Sequence, residues 1–225
     1  MRAPISIIIP TLNAAPNLGP LLASLGEGLA AGLITEVIFS DGGSTDGIDQ
    51  VADIAGAVLI NGPPGRGVQL AAGAKIAKGR WLLFLHADSE LAEGWVEVVQ
   101  RHLEQGQAPA YFRLVFDAQG LAPRIVAGWA NLRSQIFNLP YGDQGLLISG
   151  PDYDAVGGYP ELPLMEDVAM ARALGNLQGI DVAIHTSAVR YQKQGWVRRG
   201  ARNLWTLARY FAGVDPEKLA RAYRR

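Results

Sequence analysis

The sequence alternates short apolar runs with stretches of helical spacing, and this alternation restricts the fold more than any other feature. Four runs of β-branched or bulky apolar residues end at Pro, Gly, Asn or Asp, at residues 5–9, 36–40, 57–60 and 81–85. Such runs are typical of strands that are buried on both faces. Helical periodicity follows each run, at residues 18–29, 48–55, 68–77 and 95–103. The pattern predicts an α/β fold with a mostly parallel central sheet, right-handed crossovers and flanking helices.

Beyond residue 105 the rhythm is looser. Further strands are predicted at residues 110–116 and 146–149, and further helices at residues 123–137 and 167–174. No repeat or low-complexity linker interrupts the chain, and 225 residues suit one α/β domain. We therefore expect a single domain over residues 1–225, with a regular part to about residue 105, a less regular part over about 106–190 and basic C-terminal helices over about 191–225.

Composition excludes several classes of protein. With 49% hydrophobic and 18% charged residues, the chain has enough apolar side chains for a sizeable core, which argues against disorder. The absence of cysteine excludes disulfides and thiolate metal sites and fits a cytoplasmic location. The apolar run before Pro10 is too short for a signal peptide, and no run approaches the ~20 apolar residues that span a bilayer.

Charge is divided unequally along the chain, although the formal net charge is only −1. Residues 190–225 contain ten basic and two acidic residues and carry a charge of +8, which leaves −9 for residues 1–189. This asymmetry suggests an anionic partner for the basic segment. We do not expect that partner to be a nucleic acid.

Polar side chains follow three of the predicted strands, at the edge where parallel sheets bind their ligands. These segments are Pro10-Thr11-Leu12-Asn13, Asp41-Gly42-Gly43-Ser44-Thr45-Asp46 and His86-Ala87-Asp88. We interpret Ser44, Thr45 or Asp46 as the cap of the helix that follows. Asp41 and Asp88 each end an apolar strand, where a buried carboxylate needs a partner, and a shared cation or ligand donors would satisfy both.

The amino-acid sequences and the order of the first two segments resemble the opening of family 2 glycosyltransferases, the nucleotide-sugar transferases of the GT-A fold. Later segments resemble the small, single-domain bacterial members: Gly65-Arg66-Gly67 with Gly73 and Ala74, Leu83-Phe84-Leu85-His86-Ala87-Asp88, Tyr141-Gly142-Asp143-Gln144, Gly157-Gly158-Tyr159 and Met165-Glu166-Asp167-Val168. The resemblance extends from about Ile5 to the C-terminal helix. It implies a GT-A fold with a nucleotide-sugar-binding half before about residue 105 and an acceptor-binding, catalytic half after it.

The resemblance also implies roles for single residues in nucleotide binding. Asp41 matches the family's nucleoside contact, and Pro10, Thr11 and Asn13 belong to the segment that lines the same pocket. Arg66 resembles a basic residue near the base or the diphosphate, where a guanidinium pairs with anionic oxygens or stacks on a base. The family's Asp-x-Asp signature reads His86-Ala87-Asp88 here. Asp88 therefore carries over as the metal ligand, and His86 stands at the ribose position, where it contacts either the ribose or the metal.

The pair Glu166-Asp167 resembles the family's catalytic acids at the start of a helix. Inverting transfer needs a base that removes the proton of the acceptor hydroxyl, and we assign that role to Asp167, with Glu166 as the alternative. A divalent cation would stabilise the nucleoside diphosphate leaving group, and oxygen ligands favour Mg²⁺ or Mn²⁺. Without the other motifs, two acids at a helix N-terminus would be explained by the helix dipole alone.

Several other residues have two interpretations. Asp143 and Gln144 either face the acceptor or donor sugar or form a turn. We expect His102 to be solvated on a helix, and His185 to cap or support the end of a strand. The glycine-rich residues 62–67 lack the Lys-Ser/Thr of a phosphate loop, so nucleotide hydrolysis and dinucleotide binding are disfavoured.

The basic C-terminal segment predicts an amphipathic helix over residues 198–212. Arg198, Arg202 and Arg209 lie within roughly 40° of one another on a helical projection, and the apolar residues occupy the other side. We expect the apolar stripe to pack on the domain and the arginines to be solvated. Alternatively, Arg198 and Arg199 lie by the diphosphate, with Trp196 near it or near the acceptor, or the arginines contact anionic lipid at the inner face of a membrane. The acceptor would then be a small or lipid-linked hydroxyl compound.

Two other classes of function compete with glycosyl transfer. A sugar-phosphate nucleotidyltransferase would need a glycine-rich, basic turn after the first strand, and Pro10-Thr11-Leu12-Asn13 is not such a turn. A nucleotide- or membrane-binding module without catalysis would not need Asp41, Asp88 and Asp167 together. The sequence therefore favours a divalent-metal-dependent transferase that uses a nucleotide-diphospho-sugar.

Overall fold

The computed structural model describes residues 3–106 and 108–223, so Arg224 and Arg225 of the basic segment lie outside the described residues. The strands are β1 Ile5–Thr11, β2 Ile34–Asp41, β3 Val58–Asn61, β4 Trp81–Phe84, β5 Ser89–Leu91, β6 Ala110–Phe116, β7 Leu146–Ser149 and β8 Gln178–Thr186. The helices are α1 Leu18–Ala30, α2 Ile48–Ala55, α3 Arg66–Ile76, α4 Trp95–Glu104, α5 Leu121–Phe137, α6 Gly150–Ala155, α7 Glu166–Leu174, α8 Val189–Gln194, α9 Trp196–Phe211 and α10 Pro216–Tyr223.

One mixed, mostly parallel sheet of eight strands runs through both halves of the chain, in the order β3-β2-β1-β4-β7-β6-β8-β5. β1 pairs in parallel with β2 and β4, whereas β7 is antiparallel to both β4 and β6. The expected α/β architecture is therefore confirmed. One detail is wrong: the run at residues 57–60 was expected to form a strand buried on both faces, but β3 is an edge strand and none of its residues is fully buried.

The two faces of the sheet bury different sets of side chains because successive residues of a strand point in opposite directions. On one face, Ile5, Ile7 and Ile9 pack with residues of α1, α4 and α5, among them the fully buried Trp95. On the other face, Ile8 packs with residues of α3, α6 and α7. A Cβ on Gly73 of α3 would lie 2.5 Å from the Ile8 side chain, so the glycine lets that helix approach the sheet closely.

The predicted amphipathic C-terminal helix is α9, but its orientation differs from the expectation. Val197, Leu204, Trp205 and Phe211 are exposed, whereas Arg199 is buried. The expectation that the apolar stripe packs on the domain is therefore wrong for these four residues, although Leu207 is buried, and the expected solvent exposure of the arginines holds for Arg198. The side of α9 that carries Arg199 and Asn203 faces the protein interior instead, where these side chains hydrogen-bond with those of α8 and α10.

Candidate active site

A cavity of about 930 Å³ lies at the carboxyl ends of β1 and β4. The connection from β1 to β2 packs α1 on one face of the sheet, and the connection from β3 to β4 packs α3 on the other face. The direction of the connections reverses between β1 and β4, and such a switch point leaves a crevice outside the strand ends. The volume lies within the range of small-molecule and cofactor sites.

Most of the predicted site residues line this cavity. They are Pro10, Thr11, Asn13, Arg66, His86, Asp88, Asp143 and Asp167. Five others do not line it: Asp41, Gln144, Glu166, Trp196 and Arg198.

The loops after β1 and β2 are tied together by side chains. The Asn13 N–H donates to the Ser44 hydroxyl (2.7 Å), the Thr45 N–H donates to Asn13 Oδ1 (3.0 Å), and the Ala15 N–H donates to Asp46 Oδ2 (2.8 Å). The predicted cap is therefore wrong, since the N-cap of α2 is Gly47 and no side chain bonds there. These bonds instead hold one wall of the cavity.

Asp41 is buried behind that wall. Its carboxylate accepts hydrogen bonds from the Thr11 hydroxyl (2.9 Å), the Gly43 N–H (2.8 Å) and the Ser44 N–H (2.7 Å), and the Ser44 hydroxyl also donates to it. Burial alone would raise the pKa of Asp41, but these bonds outweigh it and the pKa lies below its ordinary value. The expectation that Asp41 shares a cation with Asp88 is wrong, because the protein itself satisfies the carboxylate.

Gln69 on α3 ties the two strand ends together, although it was not predicted. Its side-chain amide donates to the carbonyl oxygens of Thr11 and Ser40, both at 2.7 Å. Gln69 is buried and lines the cavity. A lone glutamine on an amphipathic helix carries no sequence signal for such a role.

Arg66 and Glu166 form an ion pair beside the cavity. Arg66 Nε lies 2.9 Å from Glu166 Oε1, and the Glu166 side chain is only 2% exposed. Burial and the neighbouring charge of Asp167 raise the pKa of Glu166, and the Arg66 charge offsets part of that increase. Glu166 Oε2 has no hydrogen-bond partner among the described residues.

His86 is neutral in this environment. Burial, together with the charges of Arg66 and Arg190, lowers its pKa to about 3. Its Nε2 lies 3.4 Å from Arg66 Nη1, and because a guanidinium only donates, this contact favours the tautomer that carries its proton on Nδ1. Gly142 packs against the same ring, since an added Cβ would lie 2.6 Å from His86 Nε2.

Three carboxylates, those of Asp88, Asp143 and Asp167, line the same cavity. Burial, together with the charges of Asp167 and Asp88, raises the pKa of Asp143 to about 6, although Arg133 and Arg66 oppose the shift. Asp143 Oδ1 is buried without a hydrogen-bond partner among the described residues. The acidic cluster therefore has one buried carboxylate oxygen whose hydrogen-bonding capacity the described residues do not satisfy.

Asp167 is held at the first turn of α7. Its Oδ2 accepts from the Gly142 N–H (2.8 Å) and its Oδ1 accepts from the Val168 N–H (2.8 Å). The preceding Met165 has a left-handed backbone, with φ of 67°, and packs with Val168 and Leu207. Left-handed geometry is costly for a residue with a Cβ and is concentrated at functional sites. The turn directs Glu166 into the interior and Asp167 into the cavity.

Gln144 has a structural role and does not face the cavity. It is fully buried, and its Oε1 accepts from the Ser134 hydroxyl (2.6 Å) and from Arg133 (3.3 Å). Its amide also donates to the Phe112 carbonyl oxygen (3.3 Å). Of the two interpretations left open for the Asp143–Gln144 pair, the turn applies to Gln144 and the cavity to Asp143.

The C-terminal segment contributes to the cavity mostly through residues other than those predicted. Trp196 packs on Phe116 and Tyr191 with ring centroids 5.1 and 4.9 Å away, and Arg198 is exposed. The prediction that Trp196 and Arg198 contact the diphosphate or the acceptor is therefore wrong in placement. Arg199 does line the cavity, together with Arg190, Tyr191, Asn203 and Tyr223.

These residues form a hydrogen-bonded wall. Arg199 donates to Gln194 Oε1 (2.9 Å) and to the Tyr223 hydroxyl (3.3 Å), which itself donates to Asn203 Oδ1 (2.9 Å). Asn203 also donates to the Tyr191 hydroxyl (3.0 Å). None of the described acids within this segment pairs with Arg199, so the wall brings positive charge to the cavity.

The other two histidines lie away from the cavity. His102 is buried against the Ala108 carbonyl oxygen (3.0 Å), and burial lowers its pKa, so the expected solvated position is wrong. His185 lies in β8 opposite Glu90 of β5. Neither side chain lines the cavity.

A divalent cation fits this site if the substrate supplies some of the ligands. Within residues 3–106 and 108–223, no group of three or more acidic or histidine side chains is arranged to hold a metal on its own. Mg²⁺, however, is commonly held by one or two carboxylates together with substrate phosphates. Asp88, and Asp143 with its unpartnered oxygen, supply such a pair at the cavity.

Comparison with known proteins places the chain in a family. The model of glycosyl transferase family 2 matches residues 6–138, which is more than half of the chain. The chain therefore belongs to glycosyltransferase family 2. The matched region includes Asp41, Arg66 and Asp88, whereas Asp143 and Asp167 lie beyond it.

Individual relatives agree with this assignment. A PGL/p-HBAD biosynthesis glycosyltransferase of Mycobacterium tuberculosis is 40% identical over 101 residues, which are 41% of this chain and 39% of that protein. The chain thus spans about two fifths of the length of the curated relatives it matches.

Two solved structures show the same fold. S. aureus TarS in complex with UDP-GlcNAc has a TM-score of 0.63 at 16% identity, and the match covers 82% of this chain and 58% of the TarS chain. Glucosyl-3-phosphoglycerate synthase of M. tuberculosis, in complex with Mn²⁺, UDP and glucosyl-3-phosphoglycerate, has a TM-score of 0.54 at 20% identity, with coverages of 80% and 70%. These likenesses establish the GT-A type of architecture.

Proposed function

We propose that this protein transfers a sugar, with inversion, from a nucleoside-diphosphate sugar to a hydroxyl acceptor, and that it uses a divalent cation. The observation that carries the proposal is one cavity at the switch point of the sheet, which is lined by Arg66, His86, Asp88, Asp143 and Asp167. Family membership supports the reaction class. The complexes of structural neighbours with UDP-GlcNAc, and with UDP and Mn²⁺, support the donor and the cation.

The nucleoside is proposed to bind against the loop after β1. Pro10, Thr11 and Asn13 line the cavity there, and Asp41 fixes Thr11 from behind. His86 is proposed to donate from Nδ1 to a ribose oxygen. Metal ligation by His86 is less favourable, because its Nε2 faces Arg66 and its Nδ1 carries the proton.

The divalent cation is proposed to be Mg²⁺ or Mn²⁺, held by Asp88 with Asp143 and by the donor diphosphate. When bound, it would neutralise negative charge on the leaving diphosphate. Arg66, Arg190 and Arg199 at the same cavity add positive charge from the protein itself. Guanidinium groups suit phosphate oxygens because they can donate two parallel hydrogen bonds.

Asp167 is proposed to act as the general base. It takes the proton of the acceptor hydroxyl as that oxygen bonds to the anomeric carbon, and the bond from this carbon to the diphosphate oxygen breaks. Asp167 lines the cavity, whereas Glu166 is buried and paired with Arg66. Glu166 is therefore proposed to position Arg66 and not to act as the base.

The acceptor is proposed to be a small or lipid-linked hydroxyl compound, and transfer is proposed to occur in the cytoplasm at the inner face of a membrane. The basic wall of Arg190 and Arg199 would suit an acceptor that carries an anionic group. None of the helices in the described part of the chain combines the length and apolar character that crossing a bilayer requires.

The base assignment is tested with Asp167→Asn. We expect this variant to bind a nucleoside diphosphate as the wild type does but to lose about 10²-fold or more in donor turnover, measured as released nucleoside diphosphate. Asp53→Asn, a change at an exposed acid of α2, serves as the matched control. Wild-type turnover in Asp167→Asn would refute the base, whereas loss of nucleotide binding would show that the residue has another role.

A further inference from the structure

Helix α5 exposes five large apolar side chains in one narrow stripe. Leu121, Ile125, Trp129, Leu132 and Ile136 recur every three or four residues and lie within about 80° around the helix axis. Their exposed fractions range from 45% to 73%. The buried side of α5 is formed mainly by small residues, so its larger apolar surface faces outward.

Helix α9 exposes a second stripe of the same kind. Val197, Leu204, Trp205 and Phe211 are 43% to 86% exposed and, with Ala201 and Ala208, lie within about 120° on the helical projection. Apolar surface of this extent on two helices marks an interaction site, because isolated exposed apolar residues are ordinary but contiguous patches are not.

The two helices that carry these stripes are neighbours. α5 and α9 are in contact. Near the start of α9, Trp196 packs on Phe116, which shortly precedes α5, and near its end Leu207 shares a cluster with Leu139, which shortly follows α5. The helices therefore run in the same direction. We call the nine large exposed residues of the two stripes the α5–α9 surface.

The two helices of the α5–α9 surface carry formal charge of one sign. Neither residues 121–137 nor residues 189–211 contain an Asp or Glu, whereas both segments carry exposed cations, among them Arg124, Lys193 and Arg198. On α9, Arg198, Arg202 and Arg209 follow the apolar stripe directly, at about 20° to 60° beyond Trp205. An apolar stripe with an arginine border and tryptophans is the pattern of helices that lie in a membrane interface.

We propose that the α5–α9 surface docks in the plane of a membrane whose headgroups are anionic phospholipids. A second copy of the chain fits less well, because a two-fold interface would place the arginine borders of two identical surfaces together without acids to pair them. The opposite side of α9 carries Arg199 and Asn203 into the cavity. Docking would therefore place the cavity about one helix diameter, ~10 Å, from the lipid. The proposal extends the suggested membrane location and does not depend on the proposed reaction.

The test is flotation of the full chain with vesicles of phosphatidylcholine alone and with 30% phosphatidylglycerol. We expect flotation with the anionic vesicles only, and its reduction by 0.5 M NaCl, since salt screens the headgroup contacts. Ile125→Gln/Trp205→Gln should reduce partitioning roughly tenfold or more, because two large apolar side chains no longer enter the lipid.

The matched control is Leu29→Gln/Ile54→Gln, which removes two exposed apolar side chains of α1 and α2. It should float as the wild type does, and circular dichroism should show that both double variants are folded. Absence of flotation with anionic vesicles, or equal losses in both variants, would overturn the proposal. So would a dimer in light scattering that the Ile125/Trp205 variant dissociates while the wild type fails to float. No donor enters this assay, so its failure leaves the proposed reaction untouched.

Discussion

Neighbouring acids at the start of α7 have different environments because of one backbone turn. Met165 adopts a left-handed conformation, after which Glu166 enters the interior and Asp167 lines the cavity. Glu166 pairs with Arg66 and has a raised pKa, whereas Asp167 accepts two backbone hydrogen bonds. The acid pair thus divides into a positioning residue and the proposed base.

The charge of Asp143 is poorly tolerated in the ligand-free site. Its pKa is raised from the ordinary value of 3.8 to about 6, so the folded protein holds a proton between these values that the unfolded chain has lost. A raised carboxyl pKa lowers stability as pH rises through this window, and the full cost applies above about pH 6. At neutral pH the ionised Asp143 carboxylate therefore lowers the free energy of unfolding of the ligand-free protein.

We predict that Asp143→Asn stabilises the ligand-free protein by about 1–3 kcal/mol at pH 8, because the costly charge is removed. The gain should shrink as pH falls from 6 towards 4. Melting temperatures at pH 8, 6 and 5 measure this, with Asp53→Asn as a control that has no such pH dependence. An unchanged melting temperature at pH 8, or an increase in melting temperature that is equal at every pH, would show that the Asp143 charge does not destabilise the ligand-free protein.

Single residues were predictable where a motif fixed them and not where burial decided them. Thr11, Arg66, His86, Asp88 and Asp167 follow strand ends or helix starts, which the sequence reveals. Gln144 also belongs to a motif, but its side chain forms buried hydrogen bonds with Arg133 and Ser134 and does not reach the cavity. A one-dimensional pattern does not say which of two adjacent polar side chains will be buried.

At the scale of elements, the cavity depends on cross-links between loops that follow different strands. Asp46 accepts from the Ala15 N–H, and Ser44 and Thr45 bond with Asn13. The loop after β2 therefore supports the wall formed after β1.

We predict that Asp46→Ala lowers the free energy of unfolding by about 1–2 kcal/mol, because a part-buried N–H loses its acceptor. Nucleoside diphosphate affinity should fall with it, since the wall of Pro10 to Asn13 loosens. Urea unfolding and nucleotide titration measure the two effects, and Asp53→Ala on the exposed face of α2 is the control. Equal losses in both variants would show that the cross-link has no special role.

Most elements were predictable because apolar runs and helical periodicity coincide with them. The predicted bounds of α2, β6 and β7 match the structure, and α1, α3 and α4 differ by at most two residues at an end. β5 has three residues and β8 contains Gly179 and Asp181, so these strands form through pairing across the sheet and not through local propensity. The outward apolar face of α9 was missed because periodicity shows amphipathicity but not which side is buried.

In the molecule as a whole, the two oppositely charged parts of the chain meet at one cavity. It is lined by Asp88, Asp143 and Asp167 and by Arg190 and Arg199 of the basic segment. A diphosphate with a divalent cation complements both sets of charges. Other cations of the same segment border the α5–α9 surface. The basic segment therefore contributes positive charge both to the cavity and to that surface.

The central claim is that this cavity binds a nucleoside diphosphate together with a divalent cation. Calorimetric titration of the protein with uridine, guanosine, cytidine, adenosine and thymidine diphosphates, each with and without Mn²⁺, tests it most directly. We expect at least one of these diphosphates to bind tenfold or more tightly with Mn²⁺ than without it. Asp88→Asn should remove this enhancement, whereas Asp53→Asn should keep it. Absence of binding by every nucleoside diphosphate in the presence of Mn²⁺, or an enhancement that survives in Asp88→Asn, would contradict it.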